Sequence, residues 1–202
     1  MKLDWPDCKN ARDLGGLPTV DGGRIRPGAL LRSDHHGRLT PASIATIKAS
    51  GVRRILDLRW PRELVSAPSP FAGDPVYLHV PMLEDGFDYE VPEDSYAPMM
   101  DFHTGRIAAA FAGLADAPAG GVVVHCHGGR DRTGMLVALA LSVAGVPADQ
   151  IAADYALTPD VHPDSIPNTL RHLDARYGGV TGYLRAIGVR DEQISAVRRR
   201  MR

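Results

Sequence analysis

A cysteine and an arginine with five residues between them, Cys126 and Arg132, bracket the run His125-Cys126-His127-Gly128-Gly129-Arg130-Asp131-Arg132-Thr133-Gly134. If the loop between them curls, sulfur and guanidinium face one bound anion from opposite sides, which is the geometry of in-line displacement at phosphorus. The thiolate is the nucleophilic form of cysteine, and a helix N-terminus beside cations stabilises it. Arg132 offers two parallel N–H donors to two oxygens of one oxyanion, a planar fork that lysine lacks. Gly128 and Gly129 permit positive φ and let the backbone approach an anion closely, while Gly134 lets the next helix pack tightly. Thr133 could donate its hydroxyl to the sulfur and ease its departure. His127, Gly128, Gly129, Arg130 and Thr133 thus form the candidate phosphate-binding set, with His127 and Arg130 facing either the remainder of a substrate or solvent.

Around this run lie other residues that could do chemistry. Asp131 is either a helix-start residue accepting from backbone donors or a group that exchanges a proton with a leaving oxygen. A general acid must be protonated when the leaving group departs, so the second role implies an acidic activity optimum. His125 supports the cysteine or only ends a strand. Asp57 and Arg59, at a predicted strand end, either hold the loop or line the site. Asp34, His35 and His36 lack a matching distant ligand set and read as polar loop residues, so no metal site is expected. Cys8 stands in no comparable context and reads as an incidental thiol, with a redox partnership to Cys126 as the alternative.

The elements that must position these groups follow from apolar patterning. Val122-Val123-Val124 is a buried strand entering the loop, and Met135 to Ala144, apolar nearly all round, is a buried helix leaving it. A loop between a strand end and a helix start aims several free N–H groups at one spot, where the helix dipole adds positive potential. Upstream, the Gly- and Pro-rich stretch to Ser33 suggests small strands around Leu17, Ile25 and Ala29 to Leu31, turning at Asp21-Gly22-Gly23. Thr40 then Pro41 predicts a capped helix carrying Ile44 and Ile47 and ending near Gly51. Strands are predicted at Val52–Leu58 and Tyr77–Val80, and a mobile rim or lid over Pro81–Pro98. Phe102, Ile107, Phe111 and Leu114 space out one helix over Met99–Ala115, and shorter helices run to the C-terminus. Strands alternating with helices predict an α/β fold with a largely parallel central sheet flanked by helices. No repeat or linker divides the chain, so residues 1–202 are expected to form one domain.

Here the sequence resembles the Cys-x5-Arg phosphatases, specifically the bacterial atypical tyrosine and dual-specificity group with the signature His-Cys-x-x-Gly-Lys-Asp-Arg-Thr-Gly. Arg130 replaces the usual lysine. The resemblance extends to Asn10-Ala11-Arg12-Asp13-Leu14-Gly15-Gly16, Leu31-Arg32-Ser33-Asp34, Asp57-Leu58-Arg59, Asp154-Tyr155 and Arg176-Tyr177-Gly178-Gly179-Val180, and so spans nearly the whole chain. It implies a cysteine-phosphatase fold in which Cys126 forms a phosphocysteine, Arg132 orients the phosphate and Asp131 serves as acid and then base, with no cofactor. Other members of the superfamily carry the acid on an upstream loop. That leaves Asp85, Asp88, Asp94 and Asp101 as competitors, and puts Arg62 where Trp60-Pro61 would lead into an acid. Phosphotyrosine is the first expected substrate, because a phenol departs with less protonation than an alkyl alcohol. Dual-specificity, phosphoinositide and small-molecule phosphatases are the alternatives, with an inactive phosphate-binding module outside the class. Sulfur transfer and arsenate reduction also use a cysteine in an anion loop, and Asp131-Arg132-Thr133-Gly134 speaks against both.

Composition bounds partners and place. A net charge of −1 advertises neither nucleic acid nor an anionic membrane, and no apolar run reaches the length of a membrane span. The basic run Arg198, Arg199, Arg200 and Arg202 reads as a helix end, where cations suit the dipole, or as a tail for lipid or nucleic acid. No signal peptide is visible in Met1–Asn10, and the two cysteines stand far apart in sequence. Both observations lead to a cytoplasmic expectation. A phosphorylated protein or small phosphate ester is the expected partner.

Overall fold

A computed structural model describes residues 1–5, 7–86 and 89–202. β1 (Arg12–Asp13) and β2 (Leu30–Ser33) open the chain, followed by α1 (Pro41–Ala49), β3 (Val52–Asp57), α2 (Pro61–Ser66) and β4 (Tyr77–His79). α3 (Ala97–Phe102), α4 (Thr104–Ala115) and β5 (Gly121–His125) come next. α5 (Asp131–Val143), α6 (Ala148–Ala156), α7 (Ser165–Tyr177), α8 (Val180–Ala186) and α9 (Asp191–Met201) complete it. Among the described residues the strands form one sheet in the order β1-β2-β5-β3-β4. Only the β1–β2 pairing is antiparallel, so the sheet is largely parallel and flanked by helices, as expected.

β5 is central because it can be. Gly121 to His125 are all buried, and alternate side chains serve opposite faces of the sheet: Val122 and Val124 join the larger core with α4 and α5, and Val123 joins the smaller one with Ile47, Ile55 and Phe71. A strand covered on both sides needs apolar residues at consecutive positions, which is what made this triplet legible. α5 is likewise buried along almost its full length, from Arg132 to Leu141. In α1, the Thr40 side chain accepts from the Ser43 N–H at 3.4 Å, as the Thr-Pro pair predicts.

Three expectations change. The helix expected over Met99–Ala115 breaks at His103, whose φ of −109° and ψ of 32° end α3 before α4 begins. The His103 ring there meets the Tyr89 hydroxyl at 2.7 Å and the Glu84 N–H at 3.4 Å, and the break turns Phe102 out of the apolar face, 66% exposed and stacked on Tyr89. The segment expected as a surface lid over 81–98 is anchored at both ends: Met82, Leu83 and Tyr96 are buried in the core, and the Tyr96 N–H donates to Thr169 Oγ1 at 2.8 Å. The entry segment carries fewer strands than expected, because the Leu17–Ile25 stretch closes only an isolated bridge between Pro18 and Arg24.

Candidate active site

The loop between β5 and α5 places Cys126, 2% exposed, at the strand's C-terminal end, with Asp131 opening the helix. Among the described residues, none of the backbone N–H groups of residues 127–133 donates to another group of the protein. Unpaired N–H groups of one loop and a helix start, next to a cysteine and an arginine, make an anion-binding cup. Gly129 has φ of +66°, and a Cβ there would sit 2.3 Å from the Ser33 carbonyl oxygen, so the loop is seated directly on β2. The Gly129 carbonyl accepts from Arg32 at 2.7 Å and from the Asn10 amide at 2.9 Å. Because C=O and N–H of a trans peptide point oppositely, fixing that carbonyl outward turns the Arg130 N–H inward.

Arg32 is fully buried, and it and Arg12 both bind Asp154: Arg12 Nε to Oδ1 at 2.7 Å, Arg32 to Oδ2 at 3.1 Å. Two cations and one carboxylate leave net positive charge directly beneath the anion cup. Behind it, Asp57 accepts from Arg59 at 2.7 Å and from the Tyr77 hydroxyl at 2.9 Å, and lies 3.6 Å from His125 Nε2. Burial pushes the Asp57 carboxyl up, but the hydrogen bonds and charge of Arg59, with the His125 ring beside them, override it and hold the group below the ordinary carboxylate range. Full burial keeps His125 below its usual pKa and neutral at pH 7, which leaves Arg59 as the charge partner of Asp57. His125 Nδ1 is 3.2 Å from the Cys126 carbonyl oxygen, a supporting position. Asp57 and Arg59 are buried, holding the loop from behind.

Asp34, His35 and His36, expected as polar loop residues, are instead buried beneath the same loop. His36 packs tilted against His125 with ring centroids 4.2 Å apart, His35 stacks against His127 at 4.9 Å, and the His35 N–H donates to the His127 carbonyl. No group of side chains suited to a metal ion occurs among the described residues. Cys8 is half-buried, and burial followed by the charge of Asp34 pushes its thiol up to about 12, leaving it an inert thiol at neutral pH.

Arg132 is held in a way the sequence did not announce. Glu63, three residues into α2's N-terminal turn from Trp60, grips its guanidinium with both oxygens at 2.6 and 2.9 Å, and also accepts the Trp60 N–H at 2.6 Å. The guanidinium lies 4.3 Å from the Trp60 ring centroid. Burial raises the Glu63 carboxyl, but the Arg132 bonds outweigh that and leave it lowered. Pro61 followed by Glu63 was the available signal, a helix start with an acid that reaches back to its cap.

Asp131 is also held. The Tyr96 hydroxyl lies 2.5 Å from its Oδ1 and 2.6 Å from the Tyr155 hydroxyl. Burial and then the Asp131 charge push the Tyr96 phenol far above its ordinary value, so it stays protonated and donates to the carboxylate while accepting from Tyr155. A cavity of about 520 Å³ opens beside Asp131 and Tyr96, walled on one part by Val91, Pro92, Met99, Val161 and Pro163 and on another by Glu93, Asp160 and His162.

The competing acids are engaged elsewhere: Asp85 pairs with Arg62 at 2.8 Å, Asp94 accepts from Asn168, and Asp101 is bound by His172, Arg176 and Tyr177. Asp88 lies outside the described residues. Of the phosphate-binding candidates, Gly129 is buried, Gly128 and Arg130 are half-buried, and His127 is exposed at the rim 3.6 Å from Glu63. Arg130 turns toward Asp160, at 3.8 Å. Thr133 Oγ1 is buried with no hydrogen-bond partner among the described residues, the Cys126 sulfur included. Its donor capacity is therefore unspent.

Comparison with known proteins agrees with this geometry. A Cupriavidus necator protein provisionally named a tyrosine-protein phosphatase is 28% identical over 225 residues, covering 91% of this chain and 82% of the relative. The tyrosine-protein phosphatase of Nostoc commune is 26% identical, covering 86% and 74%. The triple specificity protein phosphatase PtpB of Mycobacterium tuberculosis is 26% identical, covering 96% and 87%. The model of the tyrosine phosphatase family matches residues 3–163. With its cysteine, arginine and unpaired amides gathered in one loop, this chain belongs to the tyrosine phosphatase family.

Proposed function

We propose that this chain, acting as one catalytic domain, hydrolyses phosphate monoesters by two successive displacements at phosphorus, with protein phosphotyrosine as the first substrate. In the first step the Cys126 sulfur bonds to phosphorus as the bond to the leaving oxygen breaks, and Asp131 gives that oxygen its proton. In the second, water attacks phosphorus, Asp131 takes a proton from it, and the sulfur–phosphorus bond breaks to release inorganic phosphate. Arg132 and the amides of residues 127–133 carry the charge on the equatorial oxygens through both steps. Thr133 has a hydroxyl to spare for the departing sulfur. One observation carries the reading: the amides of the Cys126–Arg132 loop have no acceptor among the described residues, while the guanidinium of Arg132 in the same loop is already clamped.

Phosphotyrosine is favoured by the cavity of about 520 Å³ beside Asp131, where Val91, Pro92, Met99, Val161 and Pro163 offer apolar surface to an aryl leaving group and Glu93, Asp160 and His162 offer polar groups to the peptide around it. The relative named for triple specificity supports a second reading, in which alkyl phosphates are also turned over. A thiolate nucleophile requires a reducing compartment, so we place the protein in the cytoplasm. No helix among the described residues is long and apolar enough to cross a membrane.

Cys126→Ser should reduce kcat on p-nitrophenyl phosphate at least about 10⁴-fold, since a hydroxyl here has no base to activate it. Rapid quenching of the wild type should trap phosphate on Cys126. Turnover surviving the substitution would overturn the mechanism. Comparing kcat/KM on phosphotyrosine peptides, phosphoserine peptides, phosphoinositides and nucleotides then decides the substrate; equal values on all four would remove the phosphotyrosine preference.

A further inference from the structure

The basic run at the C-terminus is only partly explained by helix capping. Arg198 donates to the Val143 carbonyl at 2.9 Å and Arg202 to the Ala144 carbonyl at 2.6 Å, tying α9 to the end of α5. Arg200 reaches the carbonyls of Pro118 at 3.0 Å and Gly120 at 2.9 Å, and that of Ala117 as well, which fixes its guanidinium at the turn before β5. Its Nε is buried and without a partner among the described residues. Arg26 joins from the entry segment, donating to the Arg200 carbonyl at 2.8 Å. The guanidinium of Arg199 makes no hydrogen bond or ion pair among the described residues.

These side chains border an open depression in the surface. Arg26, Arg199, Arg200 and Arg202 wall a cavity of about 470 Å³ whose other lining residues are Ala115, Ala119, Gly120 and Ala196. Small side chains leave the centre unfilled, and no acidic side chain lines it among the described residues. One acid touches the cluster, Asp21 at 2.5 Å from Arg202. Burial, and then the charges of Arg26 and Arg54, pull the Arg200 guanidinium below its ordinary pKa. In a chain of net charge −1, cations crowded this closely around unfilled space are a local excess that an anion would relieve.

We infer that this arginine-walled cavity is a second anion site, taking a compact, multiply charged phosphate-type oxyanion, either free or as a lipid headgroup. It lies at the entry end of β5 and the catalytic cup at the exit end, so the two are separated by roughly 16 Å of strand at ~3.3 Å per residue. Its lining holds no cysteine, serine, histidine or acid, so the anion is bound there without being hydrolysed.

The test isolates this site from the catalytic one. Pyrophosphate is titrated calorimetrically at low ionic strength into Arg132→Met protein, in which the catalytic clamp is gone. One pyrophosphate should bind, and adding Arg26→Gln with Arg199→Gln should weaken it at least about tenfold, through the loss of two charge-assisted contacts. Both arginines are exposed, so the same pair in the otherwise native chain should leave p-nitrophenyl phosphate hydrolysis unchanged. Sedimentation of the Arg132→Met protein with vesicles containing phosphatidic acid, a phosphomonoester headgroup, against phosphatidylcholine vesicles separates the sources: arginine-dependent capture by the anionic vesicles identifies a headgroup, and pyrophosphate binding without capture identifies a free anion. Absence of pyrophosphate binding to Arg132→Met protein, or binding indifferent to Arg26 and Arg199, overturns the inference.

Discussion

As the proposed general acid, Asp131 would meet a substrate with one oxygen already taken by the Tyr96 hydroxyl, 2.5 Å away, and Tyr96 in turn is met by Tyr155 at 2.6 Å. A carboxyl held by one rigid donor presents its other oxygen in a fixed direction, which is what proton transfer to a departing oxygen requires. Removing the donor should therefore matter in proportion to how much help the leaving group needs. Tyr96→Phe is expected to lower kcat about tenfold on phenyl phosphate or phosphotyrosine, the scale of one hydrogen bond to a charged group. On p-nitrophenyl phosphate, whose leaving group departs without a proton, the change should be much smaller. Equal losses on both substrates would mean that Tyr96 supports the fold and not the acid. Glu63 acts on Arg132 by the same logic, aligning a flexible guanidinium through a bidentate bond before any phosphate arrives.

Between elements, α5 lies tightly against α6. A Cβ on Gly134 would lie 2.7 Å from Tyr155 Cε2 and 3.0 Å from Cδ2. Tyr155 is 1% exposed and anchored through its hydroxyl, so it has nowhere to move. Gly134→Ala should cost about 1–3 kcal/mol, the usual penalty of overpacking a closed interface, and a lower urea midpoint reads it directly. Because α6 carries both Tyr155 and Asp154, the displacement should also reduce kcat. Unchanged stability would show that α6 can slide away from α5. The same interface explains why the sequence motif extends past the arginine to Gly134, the residue over which the helix meets its neighbour.

For the molecule as a whole, pH acts through the histidines buried behind the loop. His36 and His125 are fully buried, and burial, the largest influence on each, keeps both below the ordinary value. In the unfolded chain they take up protons below about pH 6.5. In the folded chain they take up protons only at lower pH, so stability is full above that pH and falls as pH drops below it, by at most about 1 kcal/mol per pH unit for each histidine. Asp57 works lower down: its depressed pKa adds stability that is full above about pH 4 and is lost only as pH falls further. Urea midpoints should therefore decline steadily from pH 7 to pH 5, with the loss in that window belonging to the histidines. A flat profile there would show that the histidines accept protons in place. A general acid favours low pH for turnover, so the fold sets the acid limit of a reaction that its own chemistry pushes toward acid.

Local chemistry was legible from the residues alone. The Cys126–Arg132 spacing, the apolar strand before it and the apolar helix after it all lie within one continuous stretch, where periodicity and residue type act directly on the backbone. The capped start of α1 was readable for the same reason. The break at His103 was not, because the Tyr89 and Glu84 contacts that favour it come from outside the helical pattern. Nor could spacing assign partners to polar groups. Asn10 and Arg32 meet on the Gly129 carbonyl, Arg12 and Arg32 on Asp154, Glu63 on Arg132, and Tyr96 on Asp131 across separations of 35 to 142 residues. A charged side chain carries no period that names its counterpart; only the folded sheet, by bringing strand ends and helix starts to one edge, decides which charges are buried together.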